Sequence, residues 1–505
     1  MSSFTPHPPG RRAGFAASLR AEWATFRSTR GWVLTMAASV LVTVSLGLLV
    51  AGGARSACVT YRGEGPCPAP LLGPDGTAVS DKYYFVHQPL KGNGSITARV
   101  SDMTGQMRMP DAVPGVRNVK AGAVPWAKAG LLVRQSLTQG TPYAAVMITG
   151  AHGVRMQHDF THDVAGGPVR GPRWLRLTRS GDTITGYESG DGERWAKVGT
   201  VERAGLPETV EIGLFAASPG AVWDMARAFA EATATFDRIT LQGANGSWRH
   251  DDVGVSLGPD GKSPHHPGRV VESGGRLLVT GVGDIGPATA GGGLRADLML
   301  IGGGVGLILV LVVAVLFSTT EHRRGLIGTG PPPARLLAAK AVVVGAVAFA
   351  AGLVTSGVVV PVGLALLRAH QNPIQPITLV TELRVIVGYA ALSAAAAVLA
   401  LGLAALVRRA VIAIVLAVAL VVAPYLLASV GLVPWLLMIT PAAGFAITQS
   451  VPTFAHVDVD LSLIGGYYPL PPWAGLTVTC GYAALALGAA IAAHRGKAPR
   501  PVPPT

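Results

Sequence analysis

The sequence predicts an α-helical membrane protein with six transmembrane helices and an all-β sandwich, jelly-roll-like and extracellular, inserted between the first two. Three observations carry this. The 505 residues have a mean hydropathy of +0.43 and only 14% charged residues, a membrane composition rather than that of a soluble multidomain chain. Six apolar runs are each long enough to cross a bilayer, which takes roughly 20 residues. Between the first two runs, residues 53–297 change character, with many Gly, turn residues and short alternating segments.

Residues 1–31 come first. In 13–30, "AGFAASLRAEWATFRSTR", Phe15, Leu19, Trp23 and Phe26 recur at helical spacing, with Arg20, Arg27 and Arg30 off that stripe. The pattern predicts an interfacial elbow helix lying on the inner leaflet. The first span follows at 32–52 (Trp32–Gly52). It is too long for the apolar segment of a cleavable signal peptide, so it serves as an uncleaved span.

Within 53–297, "SITARVSDM", "AGLLVRQSL", "YAAVMITG", "VRMQHDF", "WLRLTRSGDTITGYES", "TVEIGLFAAS" and "ATATFDRITLQ" read as strands. Gly181-Asp182 and Gly190-Asp191-Gly192 supply hairpin turns. Regular short strands with turn signals predict a β-sandwich. Cys58 and Cys67 lie just beyond the first span, in an oxidising compartment, and are expected to form a disulfide. Cys480, in the last span, reads as a small packing residue.

The remaining spans are Leu298–Ser318, Ala341–Leu367, Val385–Val407, Ala410–Leu432 and Trp473–Ala493. The intervening 433–447 is apolar but cut by Pro434 and Pro441. A re-entrant segment is expected there, with its backbone satisfied by protein or water. The tail 494–505, "HRGKAPRPVPPT", is Pro-rich and expected to be disordered.

Charge sets the orientation. Residues 1–31, the loop 319–340, Arg408, Arg409 and the tail together hold 14 basic and 2 acidic residues. The stretch 433–472 has no Lys or Arg. With six spans, every basic loop falls on one side, which the positive-inside rule makes cytoplasmic. Both termini are then cytoplasmic and 53–297 is extracellular. The net charge of +13 follows from this topology and from attraction to anionic lipid, and points to no nucleic acid.

The loop 319–340 contains Glu321, His322, Arg323, Arg324 and Gly325, and "LLAAK" then ends at Lys340. With the elbow "LRAEWATFRSTRGWVL", this pattern resembles the permease subunits of bacterial ABC transporters of the type-two exporter family. The resemblance covers roughly half the chain, the spans and the elbow. It implies a bacterial plasma-membrane location and a coupling helix at Glu321, Arg323, Arg324, Arg335 and Lys340 that docks on an ATPase. It also implies a second permease copy. "GTGPPPAR" departs from the family pattern, because Pro331, Pro332 and Pro333 interrupt any helix. The chain has no GxxxxGK[ST] motif, so it lacks the cradle for nucleotide phosphates. The expectation is a non-enzymatic permease with no cofactor of its own, ATP and Mg being bound by a separate ATPase subunit. The spans carry almost no ionisable residues, Arg368 and Arg384 sitting at the edges, which disfavours an ion-coupled carrier. The alternative is a membrane-anchored extracellular glycan- or ligand-binding or sensor protein.

The order of the strand segments over about 81–242 resembles the concanavalin-like jelly-roll domains of bacterial surface proteins. The residues that carry it are "WAKAGLLVRQSL", "PRWLRLTRSGDTITGYESGDGERWAKVG" and "VEIGLFAAS". Trp174 and Trp195 are candidates for stacking on a ligand, against a plain packing role. His152, His158 and His162 with Asp159 and Asp163 match no zinc-type signature and read as an exposed strand and its turn. Glu188, Asp191 and Glu193 surround a Gly-rich turn, where solvated acids are usual, rather than forming a glycosidase pair.

Overall fold

A computed structural model describes residues 14–60, 63–108, 118–223, 226–257, 264–288, 292–324, 333–429, 433–457 and 466–495. The loop 325–332, with Pro331 and Pro332, lies outside them, as does 496–505. Of 320–333 no side chain is described, so Glu321, Arg323 and Arg324 are placed by backbone alone.

Two units make up the fold. The first is a sandwich of two antiparallel sheets. One has seven strands in the spatial order His162–Ala165, Val154–His158, Tyr143–Thr149, Lys128–Arg134, Thr209–Ala217, Tyr83–Lys91 and Arg249–Val253. The other has nine strands: Ala196–Glu202, Thr183–Ser189, Arg173–Ser180, Gly94–Arg108, Ala226–Gln242, Arg276–Val282 and Arg269–Ser273 in spatial order, with Val119–Ala121 paired to Gly94–Arg108 and Ala221–Trp223 paired to Ala226–Gln242. Leu175 and Leu177 of the second sheet meet Leu131, Val133 and Val146 of the first in the central core.

The seven-stranded sheet is covered on both faces. Tyr84 and Val86 point into the central core, while Tyr83 and Phe85 point into a second one with Tyr143, Phe160 and Phe215. This explains why "AGLLVR" and "YAAVMIT" show no polar alternation: every residue of Lys128–Arg134 and Tyr143–Thr149 is buried. Continuous apolar runs are what a sheet without a wet face requires. The nine-stranded sheet keeps an outward face, and Arg173–Ser180 alternates accordingly.

The second unit is helical: α1 (Phe15–Ser28), α2 (Arg30–Gly53), α3 (Gly303–Arg324), α4 (Pro333–Ala369), α5 (Leu379–Val407), α6 (Ala410–Val421), α7 (Ala423–Ser429), α8 (Leu436–Ile439) and α9 (Pro472–Arg495). Among the described residues, five helical stretches are long and apolar enough to cross a membrane: Arg30–Gly53, Ala334–Ala369, Leu379–Val407, Ala410–Ala428 and Pro472–Ala493. A shorter apolar stretch runs over Gly303–Thr319. The first three residues of the expected span Leu298–Ser318 instead end a 3-10 turn, Ala296–Leu300.

The helices pack closely where side chains are small. A Cβ on Gly402 of α5 would lie 2.8 Å from the Leu487 backbone nitrogen of α9. Such contact is how apolar helices associate without a hydrophobic drive between them. Between α7 and α9 the chain does not form one helix. The short α8 leads to a 3-10 segment, Pro441–Thr448, buried at all eight positions against α5 and α9. Pro441 at its start explains the break.

Candidate functional site

Two sites stand out, at opposite ends of the helical unit. The first lies where the bundle meets the sandwich. The segment leaving the sandwich is clamped to the α4–α5 loop: the Leu294 amide donates to Pro373 O (2.7 Å) and the Gln375 amide to Leu294 O (2.9 Å). Gly293 makes this approach possible. Its φ is +105°, and a Cβ there would sit 2.9 Å from the Gln375 nitrogen and Pro373 oxygen.

Immediately after the clamp, Arg295 and Asp297 form an ion pair at 3.1 Å, with side chains only 12% and 9% exposed. Ser450 Oγ donates to Asp297 Oδ1 at 2.5 Å. The pair borders a cavity of about 550 Å³ that Tyr389, Tyr425 and Tyr468 also line. Tyr425 stacks on Phe445 with ring centroids 4.0 Å apart. The hydroxyls are loosely held: Tyr389 donates to Gly303 O at 3.3 Å, and Tyr468 lies 3.5 Å from Thr448 Oγ1. Ile301 and Leu426 also line the cavity and are 51% and 53% exposed. Buried polar groups, buried apolar side chains and half-exposed apolar ones thus share one lining. A second cavity, about 940 Å³, lies between sandwich and bundle and shares Gly293.

Sequence reading missed this site. Arg295 and Asp297 fell within the insert, and Tyr389 and Tyr425 passed as residues of apolar runs. The available signal was a polar side chain inside an apolar run, which is costly unless it has a partner or a role.

The second site is at the other end. Phe26 of α1, Trp32 of α2 and Phe317 of α3 form a cluster with ring centroids 5.3–5.9 Å apart. Lys340 of α4, 3% exposed, has Nζ 5.3 Å from the Phe317 ring centroid and donates to Phe317 O at 3.3 Å. Four helices therefore meet at one aromatic and cationic node. α1 faces the bundle with Ser18, Glu22 and Phe26. The expected stripe divides here: Phe26 is buried, whereas Phe15 and Trp23 are 44% and 48% exposed. One face of α1 packs on the bundle and another is left open. Arg20, Arg27, Arg30 and Arg335 are exposed.

The structure scatters the other candidates. Trp174 and Trp195 are half-buried on the outward face of the nine-stranded sheet, not in the core. Gly192 packs on the Trp174 ring, where a Cβ would approach to 2.8 Å, and the Arg176 guanidinium lies 3.9 Å from the Trp195 ring centroid. Each ring thus already has an intramolecular neighbour. His152 stacks on Trp126 at 3.9 Å. His158 and His162 stack at 4.4 Å, and with Asp159 they bring potential ligand atoms within 4.8 Å of one another. The Arg203 guanidinium already engages that carboxylate. Asp191 caps its own turn through the amides of Glu193 and Arg194, and these bonds, with the Arg194 side chain, hold its carboxyl well below the usual range. Glu188 accepts from the Gly167 amide at 2.6 Å. Cys67 is disulfide-bonded and Cys480 is free; the Cys58 side chain lies outside the described residues.

No family model and no curated protein matches the chain. A solved structure described as "a functionally unknown protein from Saccharomyces cerevisiae" matches at 14% identity over 32% of this chain and 76% of its own, with a TM-score of 0.20. The "GH43 BlXynB protein from Bacillus licheniformis" matches at 15% identity over 30% of this chain, which spans 27% of that chain's length, again at 0.20. Likeness at this level carries no argument about activity.

Proposed function

We propose that the chain is the membrane-spanning permease subunit of an ATP-driven exporter of the type-two ABC kind, working with a separate ATPase subunit and a second permease copy. One observation supports this reading: the node of Phe26, Trp32, Phe317 and Lys340 joins the elbow to α3 and α4, the two helices that carry Arg323, Arg324, Arg335 and Lys340 on either side of 325–332. A force applied to that loop by a docked ATPase reaches α1, α2, α3 and α4 together. A bare anchor has no use for such a node.

In this reading α3 is the sixth span. Its 22 residues give about 33 Å at 1.5 Å per residue, enough for the hydrocarbon core. The segment 433–447 is re-entrant, and the sandwich stands on the face away from the ATPase. ATP closure pulls on the loop and elbow, and the bundle tilts to pass an apolar or amphipathic substrate through the cavity at Arg295 and Asp297.

Purification of the full chain from its native membrane tests this. A co-purifying protein with a Walker-A motif is the expected result, and its absence under mild detergents, with intact chain recovered, overturns the reading. Orientation has its own test. In intact cells an impermeant thiol reagent should label Ser180→Cys and not Thr329→Cys, and the reverse pattern sinks the topology.

A further inference from the structure

We propose that the cavity around Arg295 and Asp297 binds the head group of a membrane lipid that is net neutral and rich in hydrogen-bonding groups, entering sideways between Ile301 and Leu426. This rests on the reading of the bundle as membrane-embedded.

The shape comes first. At about 550 Å³ the cavity is within the range of small-molecule sites, roughly 300–1,000 Å³. Its rim residues Ile301 and Leu426 are half exposed, and Val305 and Leu427 beside them are 49% and 42% exposed. An apolar rim on an apolar helix surface opens toward acyl chains rather than toward water. Arg295, Asp297, Tyr389 and Tyr468 are the more buried polar part of the lining, so a molecule entering between Ile301 and Leu426 places its head toward them and leaves its chains along α3 and α7.

The charge then selects the head. Arg295 and Asp297 neutralise each other at 3.1 Å and are almost fully buried. An anionic head would add an unbalanced charge to a site already neutral, and burying such a charge costs several kcal/mol. A zwitterionic head adds none. Its oxygens can accept from the hydroxyls of Tyr389 and Tyr468, whose present bonds of 3.3 and 3.5 Å are weak enough to exchange. The stacked Tyr425 and Phe445 rings offer a face to its cationic part.

The test uses the full chain in nanodiscs of equimolar dioleoyl phosphatidylcholine and dioleoyl phosphatidylglycerol, released into native mass spectrometry. The expected result is one retained phosphatidylcholine per chain, several-fold over phosphatidylglycerol. Leu426→Trp, which fills the rim, and Tyr468→Phe, which removes one hydroxyl, should each lower that retention, the latter by up to about tenfold. Val411→Trp, at a position 74% exposed on α6, should leave it unchanged. Equal retention of both lipids, no effect of both site variants, or an equal loss in the α6 variant overturns the proposal. The measurement needs no ATPase. A chain that retains phosphatidylcholine selectively but captures no ATPase sinks the permease reading alone. A chain that captures an ATPase without selective retention sinks this inference alone.

Discussion

The sandwich and the bundle treat charge in opposite ways. The sandwich buries several cations and pairs each within its own framework. Arg134, fully buried, donates from Nη2 to Asp81 Oδ2 at 2.9 Å and to the Thr138 carbonyl. Lys128, also fully buried, donates to Asp284 and to Ile285 O, both at 2.7 Å. His87 sits between Glu211 and Asp251 at 2.6 and 2.8 Å. Arg134 and Lys128 fasten the two ends of the strand Lys128–Arg134, and their partners Asp81 and Asp284 border the cavity of about 940 Å³. Among the described residues of the bundle, Arg295 and Asp297 lie beside a cavity, Lys340 lies at the four-helix node, and the Arg384 guanidinium donates to Gln449 O. A charge in the sandwich is a staple. In the bundle, Arg295, Asp297 and Lys340 stand where separate elements converge.

Breaking a staple should have the largest effect. Asp81→Ala leaves Arg134 buried and uncompensated, and the expected cost to the sandwich is about 3–5 kcal/mol. Thermal unfolding of the full chain checks this. The double change Asp81→Leu with Arg134→Met should recover much of the loss, because no charge is then stranded. If Asp81→Ala unfolds like the parent, the staple view is wrong.

On the bundle side, Phe317→Ala removes the ring on which Phe26, Trp32 and Lys340 converge. A buried Phe truncation costs about 3 kcal/mol or more in well-packed cores. The spans should still insert, while α1 becomes open to protease. Unchanged protection of α1 would mean that the elbow is held by something other than this node.

The Arg323→Glu, Arg324→Glu pair sharpens the contrast further. Guanidinium groups make bidentate, charge-assisted bonds to acidic partners. Reversing both should cost about 2–5 kcal/mol of ATPase binding if the pair is buried at that interface. Orientation should survive on Arg335, Lys340 and the other basic loops. Full ATPase capture by a well-expressed double variant reduces the loop to a topology anchor.

The smallest effect belongs to the seam between the two regions. His456, from the α8–α9 connection, faces Phe160 O of the sandwich at 2.9 Å. Burial pushes its imidazole below the ordinary value near 6.5, with Lys128 adding to the shift and Phe160 O, Asp163 and Asp284 opposing it. A folded-state value below the unfolded one means that the unfolded chain takes up the proton first. The contribution is therefore full above the ordinary imidazole range and is lost as pH falls through the folded value. Acidification should loosen the seam, read as faster hydrogen exchange around Phe160. His456→Ala should remove that pH dependence at a cost of about 1 kcal/mol. A pH dependence that persists in the variant points to another group.

Much of this organisation was legible in the residues. Uninterrupted apolar runs gave the helices, since length and hydropathy alone decide whether a helix is long enough to span. The segments "WLRLTRS" and "DTITGYES", with Gly181-Asp182 between them, became the paired strands Arg173–Ser180 and Thr183–Ser189. The apolar 433–447, cut by two prolines, became a broken segment, exposed at Trp435, Met438 and Ile439 and buried from Pro441 on. Other features were not legible. Nothing in "WAKAGLLVRQ" says that Lys128 and Arg134 are buried, because their partners Asp284 and Asp81 lie 156 and 53 residues away. Nor does the spacing of Phe15, Leu19, Trp23 and Phe26 say that Phe26 packs into the bundle while Phe15 and Trp23 stay exposed.

By itself the sequence determined the two classes of structure and their order along the chain, because each follows from local periodicity and composition. It also determined that any ATP-binding cradle of the GxxxxGK[ST] kind lies elsewhere than in these residues. Only the tertiary structure decided where the chemistry sits. Arg295 and Asp297 come from the end of the insert, Tyr389 from α5, Tyr425 from α7 and Tyr468 from the approach to α9. The physical reason is that a binding site needs groups to converge from several directions, and convergence is set by how helices pack, not by spacing along one strand of sequence.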